Sequence, residues 1–273
     1  MKLIRLLVGL LMINIVLTAC HENKIQDNAT NKTEIVVFAA ASLTEVMEEL
    51  KSAYEEIHPE VRIIYNFAGS QVLTNQITSG ARPAMFFSAN EGYVDQLIEE
   101  GINPYDVKGY TGIKDLFASN RLVVLYGEKN EFKSLEEVVL ALDDERYQPV
   151  ILAQEEVPVG KYTRKMLVKY LEKTGDEEGY NAFYKQVVSY ESDVKAVVAK
   201  VRIGEGDIGV VYKTDAKSLN LEEDKLAYFD VEDAYNQVAT YGGLLFSDLE
   251  YESDFYEFIV SGEGQTILRE AGF

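Results

Sequence analysis

Short apolar runs alternate with amphipathic stretches along the chain from residue 34 to the C-terminus. The runs have the length of strands, and the stretches between them repeat their apolar residues every three or four positions, as helices do. In the first such stretch the repeating residues are Val46, Met47, Leu50, Ala53, Tyr54 and Ile57. This alternation is typical of an α/β fold, in which strands separated by helices lie parallel to one another.

The same pattern sets the bounds of the individual elements. It predicts strands at residues 35–39, 61–67, 85–88, 122–126, 150–153, 187–190 and 208–212, with further apolar runs at 226–229 and 238–246. It predicts helices at 46–57, after Ser70, at 93–100, at 135–142, from residue 159, at 194–201, at 255–260 and at 265–271. No linker rich in Pro or Gly separates these elements, so any second lobe must be entered and left by ordered strands.

The first 20 residues have the pattern of an export signal. Lys2 and Arg5 precede an uncharged apolar run that is too short for a comfortable membrane span. The run ends in Leu17-Thr18-Ala19-Cys20, which resembles a bacterial lipobox. We therefore predict a signal peptide at 1–19, lipidation of Cys20, a flexible polar tether at 20–33, and a lipid-anchored protein on the extracytoplasmic face of the cell membrane. An ordinary signal peptide with a stray cysteine is the alternative.

The composition excludes several classes of function. The 273 residues include 46 Asp and Glu but 26 Lys and Arg, and the formal charge of −20 would repel nucleic acid. A single Cys cannot form an internal disulfide, and one Cys with two His leaves too few ligands for a Cys/His metal site.

Motifs of common enzymes are missing from the sequence. It has no Gly-x-Ser-x-Gly elbow, no phosphate-binding loop ending in Gly-Lys-Ser/Thr and no His-Glu-x-x-His helix. Carboxylate pairs such as Glu48-Glu49 arise by chance in so acidic a chain and belong to solvated helix faces. The sequence therefore indicates that the protein is not an enzyme.

A strand followed by a short loop and a helix start recurs at four places. The loops contain Ser42, Ser70, Val159 and Val194. A helix start has unpaired backbone N–H groups and the positive end of the helix dipole, so several converging starts can hold an anion without a charged side chain. The alternative is that Ser42, Thr44 and Ser70 are ordinary N-caps, each contributing about 1 kcal/mol to its helix.

Several segments together resemble the periplasmic molybdate-binding proteins of ABC importers. The segments are Val37-Phe38-Ala39-Ala40-Ala41-Ser42-Leu43, Asn66-Phe67-Ala68-Gly69-Ser70-Gln71-Val72-Leu73-Thr74-Asn75-Gln76-Ile77, Phe87-Ser88-Ala89-Asn90, Asn120-Arg121-Leu122-Val123, Val157-Pro158-Val159-Gly160-Lys161-Tyr162 and Ile208-Gly209-Val210-Val211-Tyr212-Lys213-Thr214-Asp215-Ala216. They follow in the same order as in the family and extend over residues 34 to 270. The chain departs from the family at Arg82-Pro83-Ala84-Met85, where an acidic residue is missing, and at Tyr241-Gly242, where Gly replaces Pro.

The resemblance implies a two-lobed type II periplasmic-binding-protein fold, each lobe a mixed, mostly parallel sheet flanked by helices. Lobe I would comprise residues 34–115 and 220–273, and lobe II residues 116–219. The oxyanion would lie in the cleft between the lobes, bound by hydroxyl and backbone groups of Ser42 and Ser70, by backbone N–H groups of Val159 and Val194, and by the hydroxyl of Tyr212. Without the resemblance, Tyr212 would be interpreted as a core aromatic residue.

The resemblance also implies a function. The protein would capture molybdate or tungstate and deliver it to the permease of an ABC importer, with no cofactor, with molybdenum held as its oxyanion rather than by direct metal ligands, and as a monomer. A site that contains only donors disfavours monohydrogen phosphate, whose proton needs an acceptor. The alternatives are a receptor for another small anion or organic solute, a surface lipoprotein for adhesion or protein interaction and, least favoured, a secreted hydrolase.

Overall fold

The computed structural model describes residues 32–102, 113–143 and 149–273. The predicted signal peptide, the predicted lipidation site at Cys20 and all but the last two residues of the predicted tether lie outside the described residues. Thr33–Phe273 forms one compact unit. Within the described part of the chain, no helix has both the length and the apolar character needed to cross a membrane.

The elements follow one another in the predicted α/β order. The strands are β1 (Thr33–Ala40), β2 (Val61–Ala68), β3 (Met85–Ser88), β4 (Ile113–Asn120), β5 (Leu122–Gly127), β6 (Val150–Ala153), β7 (Val187–Glu191), β8 (Ile208–Tyr212), β9 (Leu226–Asp230) and β10 (Ala239–Leu245). The helices are α1 (Thr44–Ile57), α2 (Ser70–Thr78), α3 (Glu91–Glu99), α4 (Leu135–Asp143), α5 (Pro158–Thr174), α6 (Glu177–Lys185), α7 (Val194–Arg202), α8 (Lys213–Lys217), α9 (Leu221–Asp224), α10 (Glu250–Val260) and α11 (Gly264–Ala271), and a 3₁₀ turn (Ala41–Leu43) precedes α1.

The first sheet has the strand order β2-β1-β3-β10-β4. β1 pairs in parallel with β2 and β3, as the alternation of strands and helices predicts. β10 runs antiparallel to both β3 and β4. Because Ala40 pairs with Ala68 at the carboxyl ends of β1 and β2, the 3₁₀ turn and α2 begin side by side at one edge of this sheet.

The second sheet has the strand order β7-β6-β8-β5-β9. β6 lies parallel to β7 and β8, whereas β5 runs antiparallel to β8 and β9. Leu122, Val123, Val124 and Leu125 are all fully buried. A continuous apolar run of this kind is expected for a central strand whose two faces are both covered.

The two sheets with their flanking helices make a two-lobed α/β fold, as predicted. We call the first sheet with α1, α2, α3, α10 and α11 the first lobe, and the second sheet with α4, α5, α6 and α7 the second lobe. The chain passes from the first sheet to the second between β4 and β5 and returns between β9 and β10.

The pairing of β4 and β9 corrects both predicted lobe boundaries. The boundary predicted between residues 115 and 116 divides β4, whose full length pairs with β10 in the first sheet. The boundary predicted between residues 219 and 220 assigns β9 to the first lobe, but β9 pairs with β5 in the second sheet. Backbone pairing decides sheet membership, and a hydrophobic pattern does not show which sheet a short apolar run joins.

Candidate functional site

A cavity lies where strand ends and helix starts of the two lobes face each other. Its volume is about 210 Å³, including its mouth. It is lined by Ala40, Ala41, Ser42, Gly69, Ser70, Ala89, Val157, Pro158, Val159, Asp193, Val194 and Tyr212. Ligands of open α/β folds bind at the carboxyl ends of strands in this way. All five residues predicted to bind a ligand therefore line one cavity, although they come from five separate segments of the chain.

The two predicted serines do not act as N-caps. Ser42 lies in the 3₁₀ turn, and its Oγ lies 2.9 Å from the hydroxyl of Tyr241. Ser70 is the first residue of α2, and its Oγ accepts a hydrogen bond of 3.1 Å from the backbone N–H of Ala89. Both serines are buried against the cavity wall. The capping alternative for these two side chains is therefore wrong.

Two helix starts at the cavity have no side-chain cap. Gly69 precedes α2 and Val157 precedes α5, and neither makes a side-chain hydrogen bond to its helix. By contrast, Asn90 caps α3 through the N–H of Gly92. The first N–H groups of a helix have no partner within the helix, and the first residues of α2 and α5 line the cavity.

The start of α7 is capped only in part. The Asp193 side chain accepts a hydrogen bond of 2.9 Å from the backbone N–H of Ala196. That bond satisfies the third helical position and leaves the N–H of Val194, the first position, for another acceptor. The second carboxylate oxygen of Asp193 lies 3.3 Å from the Ser192 hydroxyl. Asp193 is the only charged side chain among the described residues that line the cavity.

Tyr212 is the least satisfied polar group of the cavity. It ends β8, is 1% exposed, and its hydroxyl has no hydrogen-bond partner among the described residues. Burial raises the pKa of Tyr212 well above its ordinary value, so the group stays a neutral O–H donor. An unpartnered buried hydroxyl costs about 1–3 kcal/mol, which a hydrogen bond to a ligand would recover.

No Lys or Arg of the described chain lines the cavity. Lys195, which directly follows Val194, is held elsewhere, with Nζ 2.7 Å from Oε2 of Glu45 and 2.9 Å from Oδ1 of Asp215. Burial alone would lower the pKa of Lys195, but the charge of Asp215 and the bonds to both carboxylates raise it above its ordinary value. The cavity thus offers hydroxyl and main-chain donors rather than cationic side chains.

Side chains at the rim join the two lobes. Nε2 of Gln71 in α2 donates a 2.8 Å hydrogen bond to the carbonyl of Ser192, just before α7. Nδ2 of Asn90 donates to the hydroxyl of Tyr162 in α5, also at 2.8 Å. Lys195 of α7 and Glu45 of α1 add an ion pair across the same gap. The lobes therefore meet around the cavity, which is the closed arrangement of a two-lobed receptor.

The buried carboxyl of Asp215 gives a prediction about stability. Burial raises the pKa of Asp215 to about 6, and neighbouring Glu45 adds to this rise, while the charge of Lys195 opposes it. The pKa of Asp in the unfolded chain is about 4. Between about pH 4 and about pH 6 the folded state therefore keeps a proton that the unfolded state has lost. Stability from this group is complete below that window and is lost as the pH rises through it.

We expect Asp215→Asn to remove this loss. Chemical denaturation at several pH values should show the free energy of unfolding of the variant rising relative to the wild type from about pH 4 to about pH 6. The exposed, ion-paired Asp230, replaced in the same way, is the control. Parallel stability curves for the wild type and Asp215→Asn would contradict the expectation.

Comparison with known protein families identifies the family to which the chain belongs. The model of the bacterial extracellular solute-binding protein family matches residues 35–273. The chain belongs to this family. It is a family of solute-binding transport proteins rather than of enzymes.

Individual relatives of this solute-binding protein include molybdate-binding proteins. The molybdate-binding protein ModA of Mycobacterium tuberculosis is 27% identical over 261 residues, which cover 94% of this chain and 92% of the relative. ModA of Haemophilus influenzae is 24% identical over 246 residues, covering 88% and 89% of the two chains. The solved periplasmic molybdate-binding protein of Azotobacter vinelandii shares the fold, with a TM-score of 0.69, 18% identity and coverage of 87% of this chain and 97% of that one. The resemblance drawn from the motifs is confirmed.

The structure gives a role to residues that stand in the quoted motifs but were not predicted to belong to the site. Tyr241 contacts Ser42, and Asn120 lies 3.5 Å from the same Tyr241 hydroxyl, yet 199 residues separate Ser42 from Tyr241 in sequence. No local signal marks a tyrosine in an apolar run as the partner of a distant serine. Gly242, where the family has Pro, packs against α3, since an added Cβ would lie 3.1 Å from Val94. Ala84 is buried at the start of β3.

Proposed function

We propose that this solute-binding protein captures molybdate or tungstate between its lobes and delivers the oxyanion to the permease of an ABC importer. The observation that carries the proposal is the convergence of Ser42, Ser70, Val159, Val194 and Tyr212 on one cavity without a cationic side chain. The hydroxyls of Ser42 and Ser70 and three uncapped or partly capped helix starts would supply donors from both lobes. The unpartnered hydroxyl of Tyr212 supports a ligand at this place.

The size and chemistry of the cavity favour a small, fully deprotonated anion. The cavity is small, since its empty space together with the open mouth is about 210 Å³. Molybdate and tungstate are dianions without a proton at neutral pH, so every oxygen can accept a hydrogen bond. Both oxygens of Asp193, the one carboxylate at the cavity, already have donors within the protein. Monohydrogen phosphate would leave its proton unpaired, at a cost of about 1–3 kcal/mol.

The remaining parts of the proposal concern transport. The solute-binding family supports a permease as partner and delivery of the bound anion rather than its chemical conversion. The motif resemblance implies a protein without a cofactor that acts as a single chain. The lipobox-like Leu17-Thr18-Ala19-Cys20 supports a lipid anchor on the outer face of the membrane after removal of residues 1–19. Sulfate, which also carries no proton, would be rejected by its smaller size.

Isothermal titration of the purified protein tests the proposal. Molybdate and tungstate should each bind one per chain with similar affinity, and phosphate should bind roughly 5- to 150-fold more weakly or worse, in line with an unpaired proton. A thermal-shift series is the companion measurement, since a ligand at 100 times its Kd adds about 2.7 kcal/mol. Stabilisation by an organic solute alone would favour the alternative receptor. The absence of any shift would favour a surface lipoprotein, and both results would refute the proposal.

A further inference from the structure

Three buried polar side chains form a chain that ends at the cavity. Nδ2 of Asn120 lies 3.5 Å from the Tyr241 hydroxyl, which lies 2.9 Å from Oγ of Ser42. Asn120 is the last residue of β4, where the main chain crosses between the lobes, and Tyr241 lies on β10 beside it. All three residues are at most 4% exposed. Buried networks of this kind can fix the direction of every hydrogen bond in them.

The partners of Asn120 determine how its amide is oriented. Its Oδ1 accepts a hydrogen bond of 2.9 Å from the backbone N–H of Arg121. Its Nδ2 therefore faces the other way, with one hydrogen directed to Oγ1 of Thr214 at 2.8 Å and the second toward Tyr241. An amide nitrogen can only donate, so the Tyr241 oxygen is the acceptor in this contact.

The orientation of the Tyr241 hydroxyl also determines the hydrogen bond between Tyr241 and Ser42. A tyrosine hydroxyl has one proton, and with its oxygen facing the Asn120 donor that proton is directed to Oγ of Ser42. The 2.9 Å distance alone allows either hydroxyl to donate, but in the direction set by Asn120, Ser42 would accept from Tyr241 and keep its own proton for the cavity. Ser70 is arranged in the same way, because its Oγ accepts from the N–H of Ala89. With both serine oxygens occupied by protein donors, each serine proton would be left to donate into the cavity.

We propose that Tyr241 and Asn120 are positioning residues that fix the Ser42 hydroxyl as a donor and thereby exclude oxyanions that carry a proton. A free serine hydroxyl can rotate and accept a hydrogen bond from a protonated ligand oxygen, but one that already accepts from Tyr241 has its proton committed to the ligand. This inference rests on the proposed function. It assigns the discrimination between molybdate and protonated oxyanions to residues that do not touch the ligand.

The test compares molybdate with arsenate in Tyr241→Phe. At mildly alkaline pH both ligands are tetrahedral dianions, but arsenate carries one proton and molybdate none. Without the Tyr241 hydroxyl, Ser42 is free to accept that proton. We expect the ratio of the arsenate Kd to the molybdate Kd to fall by roughly 5- to 20-fold, the equivalent of one hydrogen bond. Tyr126→Phe is the matched control, because it removes a buried hydroxyl that bonds to the Phe132 carbonyl at 2.9 Å away from the cavity.

A second variant reverses the direction of the hydrogen bonds from Asn120 through Tyr241 to Ser42 instead of breaking them. In Asn120→Asp, a carboxylate oxygen would accept from Tyr241, so Tyr241 would accept from Ser42 and turn the Ser42 proton away from the cavity. The added charge weakens the binding of both dianions alike, so the Kd ratio should still fall. Circular dichroism and thermal melting identify any variant that does not fold, and the other variant then decides.

The outcomes separate this inference from the proposed function. If the wild type binds no tetrahedral oxyanion, the proposed function fails and the inference fails with it. If the wild type binds molybdate but Tyr241→Phe and Asn120→Asp weaken both ligands by the same factor, Tyr241 is a packing residue and only the inference is overturned. A fall in the ratio for Tyr126→Phe of similar size would also overturn it.

Discussion

Replacing both Ser42 and Ser70 with alanine is expected to weaken molybdate binding by roughly 10²- to 10⁴-fold, because a hydrogen bond to a charged group contributes about 1.5–3 kcal/mol and two are lost. Both side chains line the cavity and are buried, so water cannot replace them without entering the site. Isothermal titration of the double variant against the wild type measures the loss.

The control for this double variant is Ser52→Ala. Ser52 lies on the exposed side of α1, and its hydroxyl donates to the Glu48 carbonyl, so it removes a serine of the same kind without touching the cavity. We expect its molybdate affinity to equal that of the wild type. Unchanged affinity in the double variant would remove Ser42 and Ser70 from the binding site.

The second large effect is expected from Gly69→Ala, which tests lobe closure. Gly69 has φ −59° and ψ 139°, a conformation that alanine adopts freely. An added Cβ would nevertheless lie 2.5 Å from the carbonyl oxygen of Ser192, which belongs to the second lobe. It would also lie 2.6 Å from the side-chain amide of Gln71 in the first lobe, but that flexible side chain can move aside, whereas the Ser192 backbone cannot. The substitution therefore acts mainly against the approach of the two lobes.

We expect Gly69→Ala to lower molybdate affinity by roughly 5- to 150-fold, the equivalent of about 1–3 kcal/mol of overpacking. Each lobe should still fold as in the wild type, because the clash with the Ser192 backbone arises only where the two lobes meet. Small-angle X-ray scattering with saturating ligand should show a less closed particle. Gly127→Ala is the control, since an added Cβ there would meet no atom within 4 Å. Wild-type affinity in Gly69→Ala would contradict the closed arrangement of the lobes around the cavity.

Much of the fold could be predicted because short apolar runs have sharp ends. The predicted strands 85–88, 150–153 and 208–212 coincide with β3, β6 and β8, which are buried along their whole length. β4 was missed because it interrupts its apolar residues with Lys114 and Asp115 and leaves Leu116 exposed. α6 was missed as well, since Glu177–Lys185 is short and mostly polar. An element that is buried on one side only has a weak hydrophobic pattern in the sequence. Whether such a segment forms a strand or a helix is then decided by its tertiary contacts.

The candidate site likewise has residues that could be predicted from the sequence and residues that could not. Ser42, Ser70, Val159 and Val194 lie at helix starts that follow strand ends, a pattern visible in the sequence, whereas Tyr212 was assigned to the site only through the family resemblance. The partners of Ser42 could not be predicted, because Tyr241 reaches it only through the antiparallel insertion of β10 between β3 and β4. Sequence separation of this size carries no signal in a single chain. The lobe assignment of β9 failed for the same reason, since pairing partners are chosen in three dimensions.

The uncapped start of α5 and the partly capped start of α7 have a consequence for how this receptor can change. At Val159 and Val194 the groups turned to the cavity belong to the peptide backbone, which every amino acid except proline supplies in the same form. Mutational drift at these two codons can alter side-chain volume without deleting the donor. At the proposed site, ligand preference at these two positions would be set by where each helix lies, and it would change with the packing beneath that helix.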